Sequence, residues 1–238
     1  MTTKYLLSPK LTLNMPEMWS EGNPYNSEII YDISNSTHPP VNYSQHTFKP
    51  HSLTHMEAPS HTIKNGRTVD YYFKDLNNFI GSAIVIKLKG DHYKQTHRNS
   101  QIYHWRISKS QLQNELKKFK SIPGKVIITT ETYPVIKAGF HDPKYVLTLS
   151  QEAADLLVSL PQFHMYGTSW KSSDYNPNSK MRPIHKTLFQ KAYIVENLIL
   201  DSVPEGIYEY IGVPLFLEGA SESPVTPILR KISTIEHS

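Results

Sequence analysis

The chain has 238 residues, 38% of them hydrophobic and 19% charged, the make-up of a soluble globular protein with a sizeable core rather than of a fragment needing staples. It contains no cysteine, which excludes disulfides, thiolate metal sites and a thiol nucleophile together and leaves nitrogen and oxygen to hold any metal. The net charge of +4, from 25 basic and 21 acidic residues, is small and scattered. The short cluster Lys117, Lys118, Lys120 and Lys125 reads as a solvated helix face, so no nucleic-acid partner is expected.

The N-terminus, M-T-T-K-Y-L-L-S-P-K, has no apolar core of signal-peptide length. No run approaches the ~20 apolar residues of a membrane span. The expectation is a cytoplasmic protein with no membrane partner. Residues 1–27 read as an N-terminal extension or arm and 28–238 as a single domain.

Along the chain, residues 82–88 (S-A-I-V-I-K-L) and Lys125–Thr130 (K-V-I-I-T-T) are apolar, β-branched runs that suit buried strands. Between them Ser108 and Gln111 form a capping box, and Leu112, Leu116 and Phe119 share one helix face. A second helix is predicted over 151–160, with Ser150 as N-cap, Glu152 in its first turn and Ala153, Leu157 and Leu160 on one stripe. Residues 163–167 read as another strand, and Gly167 opens a polar loop through Asp174, Tyr175 and Asn176. A short helix near 185–190 follows. Then G-I-Y-E-Y-I-G-V-P-L-F-L-E-G fits strand structure broken around Gly212 and Pro214.

The most unusual stretch is 50–61, P-H-S-L-T-H-M-E-A-P-S-H, which places His51, His55, Glu57 and His61 within eleven residues. No packing requirement explains that density. Imidazole and carboxylate are ligands that zinc and manganese accept, and three such groups with an open position describe a catalytic site. Pro50 and Pro59 argue against a long helix, so a constrained turn is expected to feed an extended segment in which His55 and Glu57, two apart, point the same way. His61 would then be free to move protons. Each histidine taken singly is more often a surface or half-buried side chain satisfied by water or a carbonyl. His38, His46, His104, His141 and His164 are read in that way.

The spacing of this stretch resembles the signature H-x-G-T-H-x-D-x-P-x-H of the metal-dependent cyclase and kynurenine formamidase-like hydrolases. Five of the seven fixed positions match: His51, Thr54, His55, Pro59 and His61. Leu53 stands in place of Gly and Glu57 in place of Asp. Asp32-Ile33-Ser34 is similar to an early D-L-S-H, with Asn35 at the histidine. Gly167-Thr168-Ser169 with Ser172 and Asp174 is similar to G-I-D-x-x-S-x-D, with Ser169 at the first aspartate. His185 with Tyr193-Ile194-Val195-Glu196-Asn197-Leu198 is similar to H-x10-E-N-L. The likeness spans roughly residues 28–230.

The resemblance implies a mixed α/β fold, a swivelling β/β/α single domain with a central sheet and the motif on a loop at its edge. It implies His51, His55 and Glu57 as metal ligands, with His185 and Glu196 completing a site for one or two divalent ions, Zn or Mn. It also implies hydrolysis of a C–N bond in a small amide, formamide or lactam, with hydroxide on the metal as nucleophile and His61 as general acid/base. Subunits would associate as homodimers or homotetramers. Substrate choice would sit in loops 15–27 and 90–105. Trp105 and Trp170 are candidates for walls around an aromatic small molecule, against the commoner use of such rings as core. Two other readings stay open: an inactive relative that binds a small ligand, and a structural oligomer whose histidines are incidental.

Overall fold

A computed structural model describes residues 3–35, 37, 39–89, 93–97, 100–131, 141–174 and 181–232. His38, Tyr175 and Asn176 lie outside the described residues. The strands in chain order are β1 (Lys4–Leu6), β2 (Tyr25–Tyr31), β3 (Tyr43–Phe48), β4 (His55–Glu57), β5 (Ile80–Leu88), β6 (Tyr93–His97) and β7 (Ser100–Ile107). They continue with β8 (Lys125–Thr130), β9 (Tyr145–Leu149), β10 (Met165–Thr168), β11 (Tyr193–Glu196), β12 (Gly206–Ile211), β13 (Glu222–Pro224) and β14 (Ile228–Lys231). Three helices are α1 (Lys109–Leu116), α2 (Gln151–Ser159) and α3 (Pro183–Leu188).

Among the described residues, nine strands form one sheet in the order β1-β14-β12-β5-β8-β10-β11-β4-β13. Its centre, β5-β8-β10-β11, is parallel, and the strands on either side join antiparallel. A parallel strand is covered on both faces, which is why β5 and β8 read as continuous apolar runs rather than as alternating ones. Val126 and Ile128 face one core with Ile84 and Ile86. Ile127 faces the other with Ala83, Val85 and Met165. Each such fully buried aliphatic side chain contributes about 1.5–3 kcal/mol.

The first core is closed by α1, α2 and the paired strands β7 and β9, which supply Leu112, Ala153, Leu157, Trp105, Ile107, Leu147 and Leu149. Both helices start where the sequence places them. Ser108 and Gln111 make the reciprocal capping box, and the Ser150 hydroxyl accepts from the Ala153 amide at 3.2 Å. The second core is closed by short helical turns over 69–79 and by Leu198, Leu200 and Val203.

Three expectations change. The motif is not on a loop at the sheet's edge, because β4 is a strand paired with β11 on one side and β13 on the other. Lys125 does not belong to a solvated face. It is buried at the start of β8, and its ammonium donates to the carbonyls of Asn77 at 2.8 Å and Ile80 at 3.2 Å; burial lowers its pKa to about 8. Trp105 and Trp170 are both buried in the first core and form no wall of the cleft described below. Of the first 27 residues, Lys4–Leu6 pairs with β14 in the main sheet, and Met15 and Met18 pack on Leu53. No helix among the described residues is long and apolar enough to cross a membrane.

Candidate metal centre

In β4 the extended backbone sends His55 and Glu57 to one side and Met56 to the other, into the second core. The register does the rest. On β11 Glu196 lies opposite His55, and on β13 Glu222 lies opposite Glu57. Pro50 and Pro59 each open a one-turn helix, Pro50–Ser52 and Pro59–His61, and these turns bring His51 and His61 back over the strand. Their rings stand 4.8 Å apart between centroids.

The three motif histidines converge with His185 on one buried carboxylate, that of Glu57. Glu57 is 1% exposed. Its Oε1 lies 3.7 Å from His51 Nε2, 3.3 Å from His55 Nε2 and 3.3 Å from His61 Nε2. Its Oε2 lies 3.1 Å from His185 Nε2. Glu196, equally buried, accepts from the Ser173 amide at 2.6 Å and hydroxyl at 2.7 Å, and its Oε1 stands 3.6 Å from His185 Nε2. Ligand-capable atoms of His51, Glu57 and His61 lie within 4.8 Å of one another, as do those of His55, Glu57 and Glu196. Glu57 belongs to both trios. His185 belongs to neither and meets the cluster through the two carboxylates.

Two buried carboxylates side by side need positive charge. Burial and the charge of Glu57 push the Glu196 carboxyl up. Burial would also raise Glu57, but the His185 and His55 imidazoles outweigh it and hold Glu57 well below the usual carboxylate range. Burial opposes charge on His185 too, yet Glu57 and Asp174 raise it to about 10. The donor set is nitrogen and oxygen, buried and electron-rich, and it fits a divalent cation.

Several residues that hold this site were given no role from sequence. Asp174 accepts the Ile184 amide through Oδ1 at 3.0 Å, and through Oδ2 both the His185 amide at 2.9 Å and His185 Nδ1 at 2.7 Å. That fixes the tautomer that turns Nε2 toward Glu57. Glu222 Oε2 lies 3.5 Å from His61 Nδ1; the bond from His61 and that from Ser221 hold its carboxyl down to about 2. Asn197, at φ 59°, donates its side-chain amide to the carbonyls of His51 and Leu53, both at 3.0 Å, and its own carbonyl accepts from the Thr54 hydroxyl at 2.7 Å. Asp174 and Asn197 stand inside segments that were recognised. Glu222 carries no motif, and only strand register reveals it.

The cluster opens into a cleft of about 210 Å³ lined also by Trp19, Glu21, Lys171, Ser172 and Arg182. Trp19 and Glu21 come from the expected specificity segment 15–27. Among the other histidines, His104 bonds Thr148 and His164 bonds Lys125. His46 bonds Tyr25, and His141 bonds the Ser169 carbonyl. Each is tied to a neighbouring group, as its isolation suggested.

A family model described as a putative cyclase matches residues 6–174. A kynurenine formamidase of Paracidovorax citrulli is 31% identical over 80% of this chain and 81% of its own length. A second, from Polaromonas naphthalenivorans, is 28% identical over 95% of this chain and 90% of its own. Isatin hydrolase A from Labrenzia aggregata superposes with a TM-score of 0.72 at 18% identity, covering 96% of this chain and 93% of that one. A potential metal-dependent hydrolase with cyclase activity gives 0.70 at 22%, covering 98% and 99%. At these identities the two structures establish a common fold.

Proposed function

This chain belongs to the putative cyclase family, and from that premise we propose that it is a metal-dependent amidohydrolase that cleaves a non-peptide C–N bond in a small amide, formamide or lactam. The observation that carries the reading is the buried Glu57 carboxylate with four imidazoles around it at the floor of a cleft. His51, His55 and Glu57 would hold the ion, Zn or Mn, with Glu196 and His185 completing the set for one or two. A divalent metal there would polarise the substrate carbonyl and lower the pKa of a water to about 7.

The remaining work falls to side chains. His61 stands between Glu57 on Nε2 and Glu222 on Nδ1. A carboxylate behind an imidazole orients the ring and holds a proton on the nitrogen that faces it, which leaves the opposite nitrogen as an acceptor. His61 Nε2 therefore takes up a proton and returns it to the leaving nitrogen. Ser173 steadies Glu196, and Asn197 keeps the turn carrying His51 in place.

The exposed apolar side chains of the β2–β3 hairpin, among them Ile29, Ile33, Val41 and Tyr43, favour association into homodimers or homotetramers. The test of function is turnover of N-formylkynurenine, isatin and simple amides by protein reloaded with Zn or Mn. Metal-dependent hydrolysis of at least one is expected. A fully loaded protein that cleaves none of them is a ligand-binding relative instead.

A further inference from the structure

We propose that Lys171 and Arg182 form a carboxylate-recognition subsite at the mouth of the cleft, so that the preferred substrates are amides bearing a second, singly negative carboxylate. The proposal rests on the hydrolase reading for the bond that is cut, and on separate residues for the group that is recognised. Both cations line the same cleft as His51, Glu57, His61, His185 and Glu196. Among the described residues neither is held in an ion pair within 4.0 Å. Two half-buried cations without a carboxylate partner, facing a cavity, are a place for an anion.

Each is held in position by groups that leave donors to spare. Lys171 Nζ donates to the Met18 carbonyl at 2.9 Å and stands 4.3 Å from the centroid of the Trp19 ring, which leaves two of its three protons for a ligand. Burial lowers its pKa to about 8, so the ammonium remains largely charged at neutral pH. Arg182 donates one Nη1 bond to the Ser172 hydroxyl at 3.2 Å. Its backbone lies in the left-handed region at φ 46°, ψ 55°, a conformation that Gly or Asn adopts far more readily.

The charge balance selects the ligand. Glu21 also lines the cleft, and its carboxylate is bonded by the Ser52 hydroxyl. With Glu57 and Glu196 in the same lining and Asp142 acting on Lys171 from beyond ion-pair distance, the two cations leave little surplus positive charge, which suits a singly charged carboxylate rather than a phosphate dianion. Trp19, beside Lys171, offers an aromatic face next to that charge.

The experiment compares kcat/KM for N-formylphenylalanine and for its uncharged carboxamide on the metal-loaded protein. The ratio should favour the carboxylate in the wild type, fall by about tenfold or more in both Lys171→Met and Arg182→Gln, and be largely restored in Lys171→Arg. An unchanged ratio in both variants, or equal losses on the two substrates, overturns the subsite and leaves Lys171 as an anchor for the Met18 segment. Calorimetric binding of hippurate and of its carboxamide to the protein as purified gives the second readout. Selective hippurate binding that Lys171→Met abolishes, in a protein that cleaves no amide, upholds the subsite while the hydrolase reading fails. Hydrolysis without any preference for the carboxylate sinks the subsite alone.

Discussion

At the scale of single residues, the fold accommodates the two breaks in the motif. Leu53 replaces a Gly, yet its backbone sits at φ −99°, ψ 172°, an extended conformation open to any residue. Its side chain is buried against Met15 and Met18. Glu57 is one methylene longer than Asp, and its carboxylate still meets all four imidazoles. The sequence exposes the donors because donors are residue types at fixed spacing. It does not expose what orients them, because Asp174 and Glu222 act through contacts made only after folding. Asp174 makes a specific prediction: Asp174→Asn keeps the shape but loses the acceptor for His185 Nδ1, so metal affinity should fall by about 10- to 100-fold with the fold intact. Chelator competition measures this, and an unaltered affinity would remove Asp174 from the site's support.

At the scale of elements, legibility follows how local the cause is. The capping box at Ser108 and the N-cap at Ser150 are decided within four residues, and both appear where expected. The apolar runs at β5 and β8 identify buried strands because both faces are covered. The motif segment is different. Three residues, His55–Glu57, are too short to read as a strand, and their place between β11 and β13 depends on partners nearly 140 and over 160 positions away in the chain. That pairing brings Glu196 and Glu222 to the site. The rings show the same limit: Trp170 adjoins a recognised segment but lies just past β10 with its side chain buried in the first core, while Trp19 reaches the cleft from the N-terminal arm.

At the scale of the whole molecule, one continuous sheet supports the site from beneath, and its buried polar groups tie stability to pH. His141 is buried, bonds the Ser169 carbonyl, and is lowered by burial to a pKa of about 4. Above about pH 6.5 it is neutral folded and unfolded alike; as pH falls from there toward 4 the unfolded chain takes the proton and the folded one does not, so stability is lost. Between about pH 7 and about pH 5 the contribution of this group is about 2 kcal/mol. Urea unfolding should therefore show a drop smaller by that amount in His141→Gln than in the wild type, and equal drops would contradict it. The central claim, that the residues gathered on Glu57 hold a divalent metal, is tested most directly by elemental analysis of protein grown with Zn and Mn, wild type beside Glu57→Gln. The account predicts about one bound ion or more per wild-type chain, a melting temperature that rises on metal addition, and loss of both in the folded variant. A wild-type protein that carries no metal and gains no thermal stability from either ion would contradict it.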